Sequence, residues 1–453
     1  MTTFVVLLGE QTGHNEPLIR LIQLLCEADR DNHLLHKVIA FGPSHIQAHI
    51  PSHVPYHNYL PPSVRGMQDA ALSLLDEWRY EPTVALQGES LTHQALPFTV
   101  FLLTRTSLSE QIDALQPNAI ISDAGYPWAW VLAKRLRIPF ISSCSSGLQP
   151  PSTRMVELTN IPFVQKSTEI LKQELGIAYD AANAYRNYTD YTIAWSLPQL
   201  NSHYKDGSES SSRSTNNNTI YFYGSTRSRD DLERPLVDQL AKDIQSFSGK
   251  TIYVSMGTVA GQKGWTLFLD HFFATVLETF ANKPDYRVIL SIGKRFDAEK
   301  LPHPLPSNVW VRQRVNQKEV LRVVDLFISH GGNNSVHESL FFATPLLVIP
   351  IFGDQHANGQ VVEDQQLGLQ IPSPFRPKLS TDLNHVTKEI LMIKVNQLFR
   401  HEKAFENNLK LLQQQFRTKD EWIRNHAVQQ MNEHVAQWKP NDSHQISSPV
   451  SIH

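Results

Sequence analysis

An α/β fold of two domains, each a parallel sheet flanked by helices, is predicted by three observations. Along the first half, short apolar runs alternate with amphipathic segments: "FVVLLG", then the helical "EPLIRLIQLLCEADR", then "HKVIAF". Farther on, "NAIISD" leads into "PWAWVLAKRLR" and "IPFISS". The second half repeats the habit with "KTIYVSMG", "WTLFLDHFFATVLETFA", "YRVILSIG", "DLFISHGG", "SVHESLFFA" and "PLLVIP". Such alternation means parallel strands covered by crossover helices. Finally, 453 residues exceed what one core fills, so two domains of roughly 200 residues are expected. In folds of this kind ligands bind beyond the C-terminal ends of the strands, which directs attention to the residues just after each apolar run.

The first domain is expected over residues 1–225 and includes a mobile polar loop at about 203–219, where "KDGSESSSRSTNNNT" has almost no apolar content. A linker is expected over 226–248, beginning in the polar run "TRSRDDLERP". The second domain spans 249–418. A helix over 419–439 comes next, read from "EWIRNHAVQQMNEHVAQW", and a disordered tail over 440–453. No internal repeat is visible.

Composition excludes several classes. Hydrophobic residues at 41% and charged residues at 19% describe a soluble globular chain. A net charge of −3 and a pI near 6.7 give no global attraction to nucleic acid or anionic lipid. Two cysteines, Cys26 and Cys144, cannot build a disulfide framework and read as free thiols in a reducing compartment. The apolar "MTTFVVLLGEQTG" lacks a basic leader and reads as a first strand. No run reaches the length of a membrane span. A cytoplasmic protein is expected.

The stretch "FISHGGNNSVHESL" carries the first chemical signal. A strand breaks at Gly331 and Gly332, and a helix begins near Asn334. Glycines allow close approach of a ligand, and a helix start directs unpaired N–H groups and a positive dipole outward, which suits phosphate. Asn334 and Ser335 would cap the helix or bond phosphate oxygens, His330 would donate a further bond, and Glu338 would project toward a ribose. On the turn alone, a polar-capped strand–helix junction is an equal reading. Downstream, "FFATPLLVIPIFGDQHANGQ" adds a buried strand and then Asp354-Gln355, an acid beside an amide. That pair offers acceptors and donors for vicinal sugar hydroxyls. As a lone dipeptide it is more often a helix cap.

Taken together, "HGGNNSVHE", "TPLLVIP" and "FGDQHAN" resemble the donor-binding signature of UDP-dependent glycosyltransferases with the GT-B fold. Gly332 and Asn333 fall inside that signature with His330, Asn334, Ser335 and Glu338. Upstream, "YVSMGT" is similar to the family's phosphate-contacting loop and places Thr258 near the diphosphate. One departure stands out. Where the family stacks a tryptophan on uracil, this chain reads "RVNQ": Arg314 replaces the ring, Val315 keeps the backbone position at the base edge, and Gln317 keeps the ribose position. A guanidinium also stacks on a base, which keeps a thymidine-linked donor open as well. Trp310 lies too early in sequence and is assigned to strand packing.

In the first half, "GEQTGHNEP" resembles the family's Gly-His-x-x-Pro loop, and Asp123 in "NAIISDAGYPWAW" matches the aspartate that orients the catalytic histidine. The resemblance makes His14 the base that deprotonates the acceptor and Asp123 its partner. Without it, His14 is an ordinary loop histidine and Asp123 a helix cap. Ser142 matches a donor-contacting hydroxyl. Trp78, Phe98, Tyr126 and Trp128 are candidates for an apolar acceptor pocket, each weighed against a place in the core. No Asp-x-Asp or histidine–carboxylate metal set is present, so no metal and no bound cofactor are expected.

The resemblance implies an inverting, metal-independent transfer of a hexose, glucose first, from a UDP-sugar to a hydroxyl of a small acceptor. It implies two Rossmann-like domains facing across a cleft, with a C-terminal helix crossing back to the first. Donor and acceptor are the only partners it names. Two rival readings are a sugar-nucleotide epimerase and a non-catalytic nucleotide-sugar binder. Acceptor, oligomeric state and physiological role are not encoded legibly.

Overall fold

The computed structural model describes the chain except residues 11, 33–35, 81–90, 146–158, 182–190, 202–211, 216–217, 258–265, 295, 375–384 and 440–453. Two compact units emerge. The first comprises Met1–Trp195, Ser208–Tyr223 and Glu421–His453, and the second Ser196–Gly207 and Gly224–Asp420.

The first unit is organised by β1 (Thr2–Leu7), whose Phe4, Val5, Val6 and Leu7 are fully buried. A strand apolar on both faces suits the middle of a parallel sheet. It pairs with β2 (His36–Gly42) on one side and β4 (Ala119–Asp123) on the other. With β3 (Tyr56–Asn58), β5 (Phe140–Cys144), β6 (Tyr191–Ala194), β7 (Ser212–Thr215) and β8 (Asn218–Phe222), the described sheet runs β3-β2-β1-β4-β5-β6-β8-β7. Only the β7–β8 pair is antiparallel. The helix Thr12–Asn32 succeeds β1 and buries Leu18, Leu21, Ile22 and Leu25 in the same core.

The second unit holds β9 (Lys250–Ser255), β10 (Tyr286–Ser291), β11 (Val309–Arg312), β12 (Leu326–Ser329), β13 (Leu346–Val348) and β14 (Gly368–Gln370), all parallel. They are ordered β11-β10-β9-β12-β13-β14. Counted in order of appearance, the six parallel strands of this sheet and the first six of the other are both arranged 3-2-1-4-5-6. That is the doubly wound, Rossmann-like order, in which the loops diverge between the first and fourth strands. The two such units make this a GT-B fold.

Three expected segments look different in the structure. Within the stretch expected as a loop, β7 and β8 form a hairpin. Tyr221 of β8 stacks on Tyr191 of β6, with ring centroids 4.3 Å apart, and β7 then adds along the edge by backbone bonds. Composition does not reveal such a strand, because backbone pairing needs no apolar side chains. The segment expected as a linker carries the helices Arg229–Glu233 and Gln239–Gln245. It is tied to the second unit by Glu319, fully buried, which accepts the N–H groups of Val237 and Asp238 at 2.8 Å each.

The terminal helix begins earlier than its sequence pattern suggests, at Glu402, and runs 36 residues to Gln437. Phe405, Leu409, Leu412 and Phe416 belong to the second core, and Ile423, Ala427, Val428 and Met431 to the first. Glu27 of the first helix lies 3.5 Å from Arg424 and 3.6 Å from Arg20. Among the described residues, no helix is long and apolar enough to cross a membrane.

Because Phe416 and Met431 serve different cores, their truncations act separately. Phe416→Ala is expected to destabilise the second unit and Met431→Ala the first, each by about 3 kcal/mol. Peptide-resolved hydrogen exchange under increasing urea will show faster exchange confined to the corresponding unit.

Candidate active site

The first constellation is built where β1 and β4 end side by side. Past β1 the chain reaches Gly9, which the fully buried Asn15 clamps: its Oδ1 accepts Gly9 N–H at 3.0 Å, and its Nδ2 donates to Gly9 C=O at 2.6 Å. The clamp fixes the loop against the helix start, and His14 sits in the first turn of that helix. His14 Nδ1 lies 2.9 Å from Asp123 Oδ1 at the end of β4 and 2.8 Å from Ser145 Oγ just past β5. Asp123 is 2% exposed, and its Oδ1 also accepts Gly125 N–H at 2.8 Å.

This geometry decides one chemical question. A hydrolase triad needs serine and acid on opposite ring nitrogens. Here both meet Nδ1, so the set is not a serine nucleophile with its base. An acid on Nδ1 fixes the tautomer and presents Nε2 on the opposite edge.

Tyr126 packs beside this site, its ring centroid 5.7 Å from that of His14. It lies so close over Gly9 that a Cβ there would come within 2.3 Å of the ring, which is why the position is glycine. Tyr126 stacks on Trp128 at 4.6 Å, and Trp128 meets Phe98 edge-on at 5.0 Å. Phe98 and Trp128 are fully enclosed in the first core, and Trp78 is half-buried at the end of the helix Met67–Glu77. Of these four rings, Tyr126 is the one seen to pack against His14 among the described residues.

Ser142 does not stand where the expected donor contact requires. It is fully buried, and its hydroxyl pairs with Thr192 Oγ1 of β6 at 2.9 Å. In "SSCSS" the neighbouring hydroxyls have separate fates: Ser143 accepts from Trp195 Nε1, and Ser145 reaches His14. Strand alternation and the strand end settle which one turns toward the histidine.

The second constellation lies at the matching place in the other unit, beyond β9 and β12. Gly257 and Gly331 adopt φ of +74° and +83°, and Gly332 caps the helix Asn333–Phe341. Between them sits His330. A Cβ on Gly257 or Gly332 would come within 2.6 or 2.5 Å of its ring, so the two glycines make room for the imidazole. Desolvation holds the His330 pKa down to about 4, against the opposing pull of a bond to the Ser255 backbone. His330 is therefore a neutral donor at pH 7. The first turn of the helix brings Asn333, Asn334 and Ser335 together with it.

One turn on, Glu338 is 7% exposed. Its Oε2 accepts Gln317 Nε2 at 2.6 Å, and its Oε1 lies 3.1 Å from Arg227 Nη2. Gln317 starts the helix Gln317–Leu321 and accepts the Tyr253 hydroxyl at 3.1 Å. The Asp354 loop joins the turn through Asn358, whose Nδ2 donates to Gly331 C=O at 2.9 Å and to Asp354 Oδ2 at 3.1 Å. Gln355, 2% exposed, accepts the N–H groups of Ile351 and Phe352 through Oε1. Its amide oxygen shapes the loop. Arg314 is exposed beside the half-buried Val315, while Trp310 packs on the core under the Arg287 guanidinium at 4.1 Å. Thr258 lies outside the described residues. No group of three or more His, Cys, Asp or Glu that could hold a metal occurs among the described residues.

Sequence reasoning missed Asn15, Ser145, Arg227 and His337. His337 is 6% exposed, with Nδ1 bonded to Asn333 C=O at 2.8 Å and Nε2 2.9 Å from Ser196 Oγ. Arg227 stands in a polar run that reads as surface, and no local pattern marks it. Its partner lies 111 positions away in sequence.

Comparison with known proteins places these motifs. A family model described as UDP-glucoronosyl and UDP-glucosyl transferase matches residues 229–401. The NDP-glycosyltransferase YjiC of Bacillus subtilis (strain 168) is 28% identical over 373 residues, 80% of this chain and 82% of that protein. An uncharacterized UDP-glucosyltransferase of the same organism, YojK, is 37% identical over 155 residues, and the chain spans only about a third (35%) of its length. Among solved structures, the glycotransferase of kitacinnamycin aligns with a TM-score of 0.70 at 21% identity, covering 95% of this chain and 98% of that one. A calicheamicin glycosyltransferase aligns at 0.66 and 16%, covering 97% and 100%.

Burial of neutral imidazoles makes a pH prediction. Burial also lowers the His337 pKa from 6.5 to about 4, opposed by its bond to Asn333. Between those values the unfolded chain binds the extra proton and the folded one does not. Stability is thus complete above pH 6.5 and falls as pH drops toward 4, by up to about 3 kcal/mol for His337 alone. Urea midpoints measured from pH 7.5 to 4.5 should show a shallower decline in His337→Gln than in the parent chain.

The histidine-flanked glycine turn, the carboxylate one helical turn beyond it and the acid–amide loop all lie within residues 229–401, the stretch that matches the UDP-glucoronosyl and UDP-glucosyl transferase model, and the fold is matched across the chain.

Proposed function

We propose that the chain transfers a hexose, glucose first, from a UDP-sugar to a hydroxyl of a small, largely apolar acceptor, inverting the anomeric centre without a metal ion. The observation that carries this reading is the bond between His14 Nδ1 and the buried Asp123. It orients a neutral imidazole whose Nε2 takes the acceptor's proton, while the carboxylate stabilises the imidazolium that forms. The hydroxyl then attacks the anomeric carbon, the bond to the diphosphate breaks, and one displacement turns an α-linked donor into a β-glycoside.

On the donor side, His330, Gly332, Asn333, Asn334 and Ser335 offer neutral donors and a helix N-terminus to the diphosphate. Glu338 and Gln317 take the ribose, Val315 and Arg314 the base, and Asp354 and Gln355 the sugar hydroxyls. Thr258 is assigned to the diphosphate. Tyr126, beside His14, is the aromatic group assigned to the acceptor. Both cysteines are free thiols, which suits a cytoplasmic setting.

A donor screen with UDP- and TDP-sugars and a generic phenol, read by mass spectrometry, tests the reaction. The expected product is a β-glucoside that needs UDP-glucose. A new nucleotide sugar formed without acceptor would point instead to an epimerase, and UDP binding without transfer to any acceptor would point to a binder. His14→Ala is expected to lower kcat about 10²-fold or more with UDP affinity unchanged. Asp123→Asn should also lower kcat, and calorimetric UDP titrations will separate both effects from donor binding.

A further inference from the structure

Glu10 takes no part in the proposed reaction, yet it stands on the loop that carries the proposed base. It follows β1 and precedes the helix of His14, at the strand ends where ligands bind in folds of this kind. The side chain is half-buried, and its Oε1 accepts the Met67 N–H at the start of the helix Met67–Glu77. A Cβ at Gly66 would collide with that oxygen, so the glycine makes room for the carboxylate.

The second oxygen is left over. Among the described residues, Glu10 Oε2 has no hydrogen-bond partner and the carboxylate enters no ion pair. The neighbouring phenols are already engaged: Tyr59 donates to Leu8 C=O and Tyr56 to Pro43 C=O, both at 2.7 Å. Burial holds the Glu10 pKa above the usual carboxylate range, against the pull of the Met67 N–H. Of the charged groups that act on it, His45 attracts and Asp69 repels, and both are exposed. A half-buried carboxylate without a cation is a charge that the fold leaves uncompensated. Capping a helix does not require that charge, since a neutral amide oxygen also accepts an N–H.

We propose that Glu10 is a specificity-determining residue for the acceptor, selecting small, largely apolar alcohols or phenols that carry a basic nitrogen. This rests on the proposed transfer to a hydroxyl held at His14. The ammonium group of such an acceptor donates to Oε2 and supplies the missing counter-charge, while its hydroxyl is presented to the imidazole. A neutral acceptor leaves the carboxylate desolvated and unpaired, and an acidic one adds a second negative charge beside it.

Three para-substituted phenols test this: tyramine as the cation, 4-ethylphenol as the neutral compound and 3-(4-hydroxyphenyl)propanoate as the anion. Each is titrated calorimetrically into the full chain and into E10Q, and kcat/KM is measured with UDP-glucose. E10Q keeps an oxygen for the Met67 N–H and removes the charge, with thermal melts to confirm folding. The parent should favour tyramine over 4-ethylphenol by about tenfold, with the propanoate weakest. E10Q should bring the three within about threefold of one another.

A parent that binds tyramine no better than 4-ethylphenol overturns the proposal, as does a folded E10Q that keeps the parent's preference. Should E10Q fail to fold, the order within the parent still decides. Propanoate binding as tight as tyramine overturns the role of Glu10, and the order cation, neutral, anion supports it. Binding in that order without transfer to any phenol would keep the selectivity for amines and sink the proposed reaction. Transfer to all three at equal kcat/KM would leave the reaction standing and overturn the selectivity.

Discussion

Parallel strands cannot be joined by tight turns, and that constraint shapes everything else in this molecule. Each connection must cross over the sheet through a helix. Where crossovers on one side of the first strand give way to crossovers on the other, the loops part and leave a place for ligand. In the first unit that place lies beyond β1 and β4, and His14 and Asp123 stand on its two sides. In the second it lies beyond β9 and β12, where Gly257 and His330 stand. The same strand order thus sets out two chemically different constellations: an acid–imidazole pair in one and a glycine-lined helix start in the other.

The two constellations handle charge in opposite ways. Around His14 a nearly buried carboxylate faces an imidazole directly, an arrangement that favours a positive charge when the ring gains a proton. Around His330 the imidazole is kept neutral by desolvation, and attraction for an anion is left to backbone N–H groups and the helix dipole. A neutral donor set needs no counter-ion before the ligand arrives. Glu338, farther along the same helix, has its charge matched by Arg227 and its second oxygen bonded by Gln317.

Much of this was legible because the decisive residues are local. The glycine turn, His330, Glu338 and the Asp354-Gln355 loop occupy one short span, and their spacing survives in the linear chain. His14 and Asp123 were legible only through the resemblance of "GEQTGHNEP" and "NAIISDAGYPWAW" to family motifs, since by position alone they read as a loop histidine and a helix cap. Ser142 shows the limit. Four serines lie within "SSCSS", and only the pairing of β5 with β6 turns Ser142 to Thr192 and leaves Ser145 for His14. The hairpin of β7 and β8 escaped for a related reason, since backbone pairing can build an edge strand from residues with no apolar pattern.

By itself the sequence determined the alternation of strands and helices, the two-unit division and the order of the motifs, because periodicity and turn residues act over a few positions. Only the tertiary structure decided which polar groups are buried against which partners. Asn15 on Gly9, Ser145 on His14 and Arg227 on Glu338 all depend on contacts that packing makes and composition hides. A buried charge is stable only beside its partner, and that partner is chosen in space.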